Sequence, residues 1–499
     1  MMVEQSPALI VVVPLMCALI TPIIGLVKKE WCYYWVLLTL LAATVFSVVT
    51  MGRVLSEGTI RYFLGNWDPP YGIEYVIDHL NAMMLVIISG ISFLVAFHSK
   101  ESVADEMPGR IVFFYTIFLL QVTGFIGIVI TGDVFNLYVF LEIASLAGYA
   151  LVAIGEDGAP LASFRYIILG TVGACFYLLG VGYLYMVTGS LNMLDLAQLL
   201  PELYHSKVIL VAFAFFMVGV AVKMALFPLH VWLPDAYTKA PSSSSALLAP
   251  LMTKVAAYVM IRIMFTIFEP CFSMEMLPVT AVLSWAAVIA IIAGAVMALA
   301  QRDLKRMLVY ILVSEVGYIA LGVGLANRNG LTGSILHILN DACMMMTLFL
   351  IVGAIVYKTR TRTIADFRFL HRKMPLTMAA LVVAGLSVIG IPPTCGFFSK
   401  WYLILGAVDA KQWIFAVVLL LSSLLNAVLF FRVIEYAYLE PRAEDDHGHE
   451  EEGVIIRIEE APVTMLLPIF AGVAGIFLFG IYSGKIISTI IQYAVPTCF

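Results

Sequence analysis

Apolar residues run along this chain in long blocks parted by short polar loops. Most blocks hold about twenty residues or more, the length a helix needs to cross the hydrocarbon core of a bilayer. About fourteen such spans are predicted, near 8–27, 33–52, 76–97, 111–132, 134–154, 162–187, 208–238, 243–268, 278–300, 304–325, 331–357, 375–408, 411–437 and 462–482. Two of them are too long for one plain helix and carry prolines: 208–238 holds Pro228 and Pro234, and 375–408 holds Pro392 and Pro393. Proline removes a backbone donor and clashes with the preceding turn, and in lipid such a break survives only where the freed groups face protein or a wet cavity. Both spans are therefore predicted to be helices broken inside the membrane. Residues 53–75 form a polar loop with room for a short hairpin, and Asn192 to Leu200 reads as a short helix along the surface. The first block, Leu9 to Val27, lacks a basic leader and a small-residue cleavage site, so it reads as a spanning helix rather than a signal peptide.

The fold class that follows is an all-α polytopic membrane protein. Composition agrees: 62% of residues are hydrophobic and 12% charged, against roughly 45–50% and about 25% in soluble domains. Mean hydropathy is +1.01. The net charge of -5 matters less than where the charges sit. With the N-terminus outside, 18 Lys and Arg fall in cytoplasmic loops and 7 on the opposite side, the other three lying within spans. By the positive-inside rule, both termini are expected on the extracytoplasmic face of a cell membrane.

Chemistry of the covalent kind finds no support. The seven cysteines show no CxxC or metal spacing, and no phosphate loop, nucleotide fingerprint, nucleophile elbow or metal cluster is present in the sequence. No cofactor, no metal and no nucleic-acid partner are expected. The run Glu444 to Glu452 contains His447 and His449, but so polar a stretch reads as a solvated acidic loop.

Ionisable residues at membrane depth are the candidate functional groups, because charge in lipid is costly without a role and a partner. Glu142 lies in the fifth span and Glu315 in the tenth. Lys223 lies beside the first break, with His230 just beyond Pro228. Lys254 is mid-span in the eighth, His337 and Asp341 are four apart on one face of the eleventh, and Lys400 follows the second break. Acids and bases alternate, which suits a proton relay. Each also has a plainer reading: a fixed ion pair, a snorkelling lysine or a hydrogen-bonded core histidine. The two breaks sit five spans apart and so run in opposite directions, the arrangement of an inverted repeat. The expected organisation is 1–110 (three helices and an outer loop), 111–268 and 278–437 (two inverted five-helix repeats), and 438–499 (acidic cytoplasmic loop, last helix and short tail).

Three stretches carry a resemblance to a known family: DVFNLYVFLE, VKMALFPLHVWLPDAYTKAPSSSSALLAPLMTKVAAYVMIR and GIPPTCGFFSKW. They resemble the signature segments of the antiporter-like subunits shared by complex I, membrane-bound hydrogenases and Mrp antiporters. The loop YFLGNWDPPYGIEYVIDHL and the wording TGDVFNLYVF are most similar to the Mrp D subunit and its counterpart in related hydrogenase and sulfur-reducing complexes. The resemblance implies fourteen helices, proton transfer, and partner subunits in a multi-subunit membrane complex, with sodium as a further ion in the Mrp case. It places the pathway on Glu142, Lys223, Lys254, His337 and Lys400. Two positions depart from the pattern: Met345 stands where the family usually has a lysine, and Asp341 where many members have a second histidine. Having Lys400 rather than a glutamate argues against the complex I subunit class that ends its channel in an acid. The tail SGKIISTIIQYAVPTCF leaves no room for a long lateral helix. The expected function is a proton-translocating subunit, either of a Mrp-type sodium/proton antiporter or of a related respiratory hydrogenase or oxidoreductase. The alternative, favoured by Met345, is a degenerate scaffold that conducts little. A solute transporter lacks the polar cluster a substrate needs.

Overall fold

A computed structural model describes residues 4–155, 158–273, 279–439, 458–496 and 499. Helices dominate, and among the described residues thirteen are long and apolar enough to cross a membrane alone. They are α1 (Ser6–Val27), α2 (Trp31–Glu57), α3 (His79–Glu106), α4 (Ile111–Ile130), α5 (Val134–Ala153), α6 (Ala159–Thr188), α8 (Lys207–Met224) and α10 (Ser242–Arg262, extended to Ile267), then α12 (Val279–Leu299), α13 (Leu304–Gly324), α14 (Arg328–Thr359), α18 (Trp413–Tyr438) and α19 (Val463–Ile481). The predicted span 375–408 folds as a pair of half-helices, α16 (Pro375–Ile389) and α17 (Cys395–Asp409). Shorter pieces connect them: α7 (Met193–Leu199), α9 (Trp232–Lys239), α11 (Glu269–Cys271) and α15 (Leu370–Lys373). The hairpin pairs β1 (Ile60–Phe63) with β2 (Glu74–Ile77), antiparallel. Asn192 caps α7 by accepting from Leu194 N and Asp195 N.

The bundle has a centre and a rim. α14 is buried throughout its apolar window and α10 and α13 nearly so, whereas α1, α2 and α19 bury only about a third of theirs. Many large apolar side chains on the rim are left exposed. The central helices bring their polar residues together where water is scarce.

Both predicted breaks are present. α8 stops at Met224, where Ala225 turns left-handed at φ 59°, and the chain resumes as α9 at Trp232. The carbonyls freed there find partners: Leu226 N donates to Ala221 O at 3.0 Å, and the Trp232 ring Nε1 donates to Val222 O at 3.1 Å. In the second break α16 ends on Gly390 at φ 94°, and α17 begins after Pro392 and Pro393. Gly396 is required there, since a Cβ at that position would lie 2.0 Å from the Ser387 carbonyl oxygen.

From the sequence, the run Ser242 to Ser245 is expected to start the eighth span and offer it a hydroxyl cap. The serine run does start α10, but no serine hydroxyl caps it. Pro241 holds the cap position, and the Ser242 N–H is satisfied instead by Glu106 Oε2 of α3 at 2.8 Å. A carboxylate near a helix N-terminus also favours the macrodipole. The run from Glu444 to Glu452, with His447 and His449, lies outside the described residues.

Candidate functional site

The first cluster forms where α5 faces the end of α8. Lys223 is in the last turn of α8, whose unpaired carbonyls and dipole favour a cation. Its Nζ donates to Ser145 Oγ at 2.6 Å, lies 3.5 Å from Tyr149 Oη, and sits 4.0 Å from Glu142 Oε1. Glu142, Ser145 and Tyr149 share the α5 face by helical spacing. Ser145 gives its own proton to Leu141 O at 2.7 Å, which leaves its oxygen free to accept from the ammonium. Lys223 is buried while Glu142 remains 28% exposed, so the carboxylate is the member of the pair nearer water. His230, in the irregular segment after Pro228, stacks on Phe227 with centroids 5.1 Å apart and makes no ion pair among the described residues.

A second cluster lies where α10, α13, α14 and α17 meet. Lys254 Nζ is 2.5 Å from Asp341 Oδ2, both side chains fully buried, and it also donates to Ala249 O at 3.2 Å. One helical turn back on α14, His337 Nε2 is 2.9 Å from Glu315 Oε2, and its Nδ1 is 2.9 Å from Ser399 Oγ on α17. Tyr318, one turn from Glu315 on α13, packs edge-on against His337. Its ring also lies 4.7 Å beneath Lys400 Nζ, and its hydroxyl is 2.5 Å from Ser422 Oγ. Lys400 donates to Val388 O at 2.6 Å, an orphan carbonyl at the end of α16. Both break-associated lysines thus sit at the negative end of a half-helix, Lys223 on its own and Lys400 reaching back across the gap. Met345 is fully buried on α14, and the carboxylate that Lys254 meets is Asp341.

Beside the first cluster lies a narrow cavity of about 20 Å³, lined by Lys223 together with Leu141, Val220, Met252 and Val255. That is close to the space one water occupies, about one probe sphere. On α10 the lining residues Met252, Val255, Ala256 and Val259 form one helical face, and Lys254 lies on another.

The charged pathway candidates Glu142, Lys223, Lys254, Glu315, His337, Asp341 and Lys400 fall in these two clusters, whereas His230 lies apart beside Pro228, and Pro392 and Pro393 mark the second break. Three partners escaped sequence reasoning. The Lys254–Asp341 pairing joins helices far apart in the chain, and no local pattern announces it. Ser145 and Tyr318 look like ordinary core residues until the lysines are placed against them. Lys305, counted among the loop charges, is buried in the first turn of α13 with its Nζ 2.5 Å from Ala240 O. Arg262, likewise counted as a loop residue, donates to Asp78 Oδ1 at 2.6 Å and to Tyr258 Oη at 3.0 Å. Burial would raise the Asp78 carboxyl, but the Arg262 guanidinium and the Asn81 and Leu80 amides prevail and hold it below the usual carboxylate range.

Comparison with known proteins follows the same lines. Residues 131–426 match the transmembrane family described as NADH:quinone oxidoreductase/Mrp antiporter. The chain is 45% identical to NADH-quinone oxidoreductase subunit N of Desulforudis audaxviator, covering 99% of each. It is 32% identical to the D subunit of the Na(+)/H(+) antiporter of Alkalihalophilus pseudofirmus, over 90% of this chain and 88% of that one. Among solved structures it superposes on a chain of the membrane-bound sulfane sulfur reductase, an archaeal respiratory membrane complex, with a TM-score of 0.88, 30% identity, and 98% and 97% of the two chains covered. A chain of the Mrp complex from Dietzia gives a TM-score of 0.87 at 25% identity, covering 99% and 97%.

Proposed function

This chain belongs to the NADH:quinone oxidoreductase/Mrp antiporter family of membrane subunits, and from that premise we propose that it carries protons through its two buried clusters. It is an antiporter-like, multi-pass membrane subunit, and its relatives are named as subunits of larger membrane assemblies. The observation that carries the proposal is the Lys254–Asp341 pair. It ties a lysine from residues 111–268 to a carboxylate from residues 278–437, the two stretches read as inverted repeats, and so couples the Lys223 end to the Lys400 end.

In this mechanism a proton reaching Glu142 neutralises its carboxylate and leaves the Lys223 ammonium without its counter-charge. At 4.0 Å, in surroundings of effective dielectric near 20, such an attraction is worth at most about 4 kcal/mol. The partial exposure of Glu142 lowers that figure. Lys223 then releases its proton to water in the cavity beside it, which carries it past α10 toward Lys254. Lys254 accepts it as it gives one up through Asp341 to His337, which Glu315 and Ser399 hold in place. From His337 the proton passes beside Tyr318 to Lys400 and out. His230 sits at the break where it can assist entry of water.

The complex is a Mrp-type sodium/proton antiporter or a related respiratory hydrogenase or oxidoreductase, with other membrane subunits against the exposed rim and both termini outside. A scaffold has little use for Lys223, Lys254 and Lys400 buried among acids and a histidine. Proton uptake by the reconstituted complex tests this: Glu142→Ala and Lys223→Ala should each abolish it while the complex still assembles. Undiminished transport in both variants removes the mechanism.

A further inference from the structure

The relay above leaves unexplained how protons reach the Lys254–Asp341 pair from the side rich in lysine and arginine. On that side, a cavity of about 580 Å³ opens between the end of α3 and the start of α10. Asp105, Glu106, Lys239, Ser242 and Lys305 are among its lining, and Lys305 is buried at its inner wall. Its lining is polar, unlike that of the cavity beside Lys223. A wide polar cavity holds water readily.

Ser242 lies both in that lining and at the junction of three helices. At Gly353 on α14, an added Cβ would stand 3.0 Å from His98 Cε1 of α3 and 3.5 Å from Ser242 Cβ of α10. Only a residue without a side chain lets the His98 ring lie this close to both helices. His98 is 1% exposed, faces the Leu350 backbone, and takes no part in either cluster. From this point α10 and α14 run inward side by side. Ser242 and Lys254 are twelve residues apart on one, Gly353 and Asp341 twelve apart on the other, about 18 Å in each case. The stretch also contains the Ser243 and Ser244 hydroxyls, fully buried and without hydrogen-bond partners among the described residues. Buried hydroxyls in that condition are costly unless water visits them.

We propose that the cavity lined by Glu106, Ser242 and Lys305 is an aqueous proton port, and that His98 passes protons from it along α10 and α14 to the Lys254–Asp341 pair. A histidine suits the step because either ring nitrogen accepts or donates, so the ring takes a proton from the port on one nitrogen and releases one inward from the other. The serine hydroxyls and intervening water complete the path. This inference rests on the proton-relay reading of the two clusters.

The test uses the whole complex in proteoliposomes, with the initial rate of proton uptake as the readout. His98→Gln keeps a polar side chain of similar length but cannot relay, and should lower the rate at least tenfold with assembly unchanged. Ser242→Cys, measured against its own untreated rate, should lose uptake when a bulky, membrane-impermeant thiol reagent is added on the port side; the unsubstituted complex, treated alike, corrects for native cysteines. Near-normal uptake in both His98→Gln and reagent-treated Ser242→Cys, alongside loss in Lys223→Ala, overturns the port and leaves the relay standing. Retained uptake in Lys223→Ala overturns both.

Discussion

Replacing Asp341 by Asn probes the junction on which the two halves depend. The carboxylate and the Lys254 ammonium are 2.5 Å apart and fully buried. Removing one member of a buried pair leaves the other uncompensated, at a cost of about 3–5 kcal/mol. Asp341→Asn should therefore destabilise the chain by that amount, and Lys254→Met by a similar one. Removing both charges with apolar side chains of similar size, as Lys254→Met with Asp341→Leu, should recover most of the loss, because well-packed apolar replacements of buried pairs are often neutral or better, by roughly 1–4 kcal/mol. Transport behaves differently: all three variants should fail to take up protons, since the double variant has no titratable group at the junction. The assay pairs denaturant midpoints of the purified protein in mixed micelles with proton uptake after reconstitution. Additive losses in the double variant would show that the two residues do not act on one another. A stable double variant that still pumps would refute the reasoning outright.

Further outcomes follow from single contacts. Ser145→Ala deletes the 2.6 Å acceptor of Lys223; hydrogen bonds to charged groups are worth about 1.5–3 kcal/mol, so uptake should slow without being abolished, and a wild-type rate would show the contact to be idle. Gly396→Ala drives a methyl into the Ser387 carbonyl and should destabilise the second break by more than about 1–3 kcal/mol, the usual cost of overpacking, seen as poor yield of assembled complex. The Asp78 carboxyl, held low chiefly by Arg262 against its burial, contributes stability that is present above its unfolded value of about 4 and lost as pH falls through its lower folded value. Arg262→Ala should shrink that acid-side loss. Unfolding midpoints measured from neutral pH down to acid would then converge between variant and wild type.

Much of the fold was legible because lipid imposes a simple rule on sequence: long apolar blocks become helices, and prolines inside them become breaks. That rule located the Pro228 and Pro392–Pro393 interruptions and the hairpin before Asp78. It also marked Glu142, Lys223, Lys254, Glu315, His337, Asp341 and Lys400, since charge stands out where there is so little of it. Pairings were another matter. Helical spacing shows that His337 and Asp341 share a face, but only packing assigns Glu315 to one and Lys254 to the other. Lys305 and Arg262 were read as loop charges because each lies near a helix end, where sequence cannot separate a solvated side chain from one folded inward. The expected serine cap failed for a similar reason: the acceptor that satisfies Ser242 is Glu106, 136 residues away in the chain.

Proton uptake by the reconstituted complex carrying Lys400→Ala is the most direct test of whether this chain conducts. Lys400 is buried, and its Nζ contacts the Val388 and Ile389 carbonyls and the Tyr318 ring. The account predicts an assembled complex whose uptake falls to the level of protein-free liposomes. Uptake equal to that of the unsubstituted complex would contradict it and return the chain to the role of a scaffold.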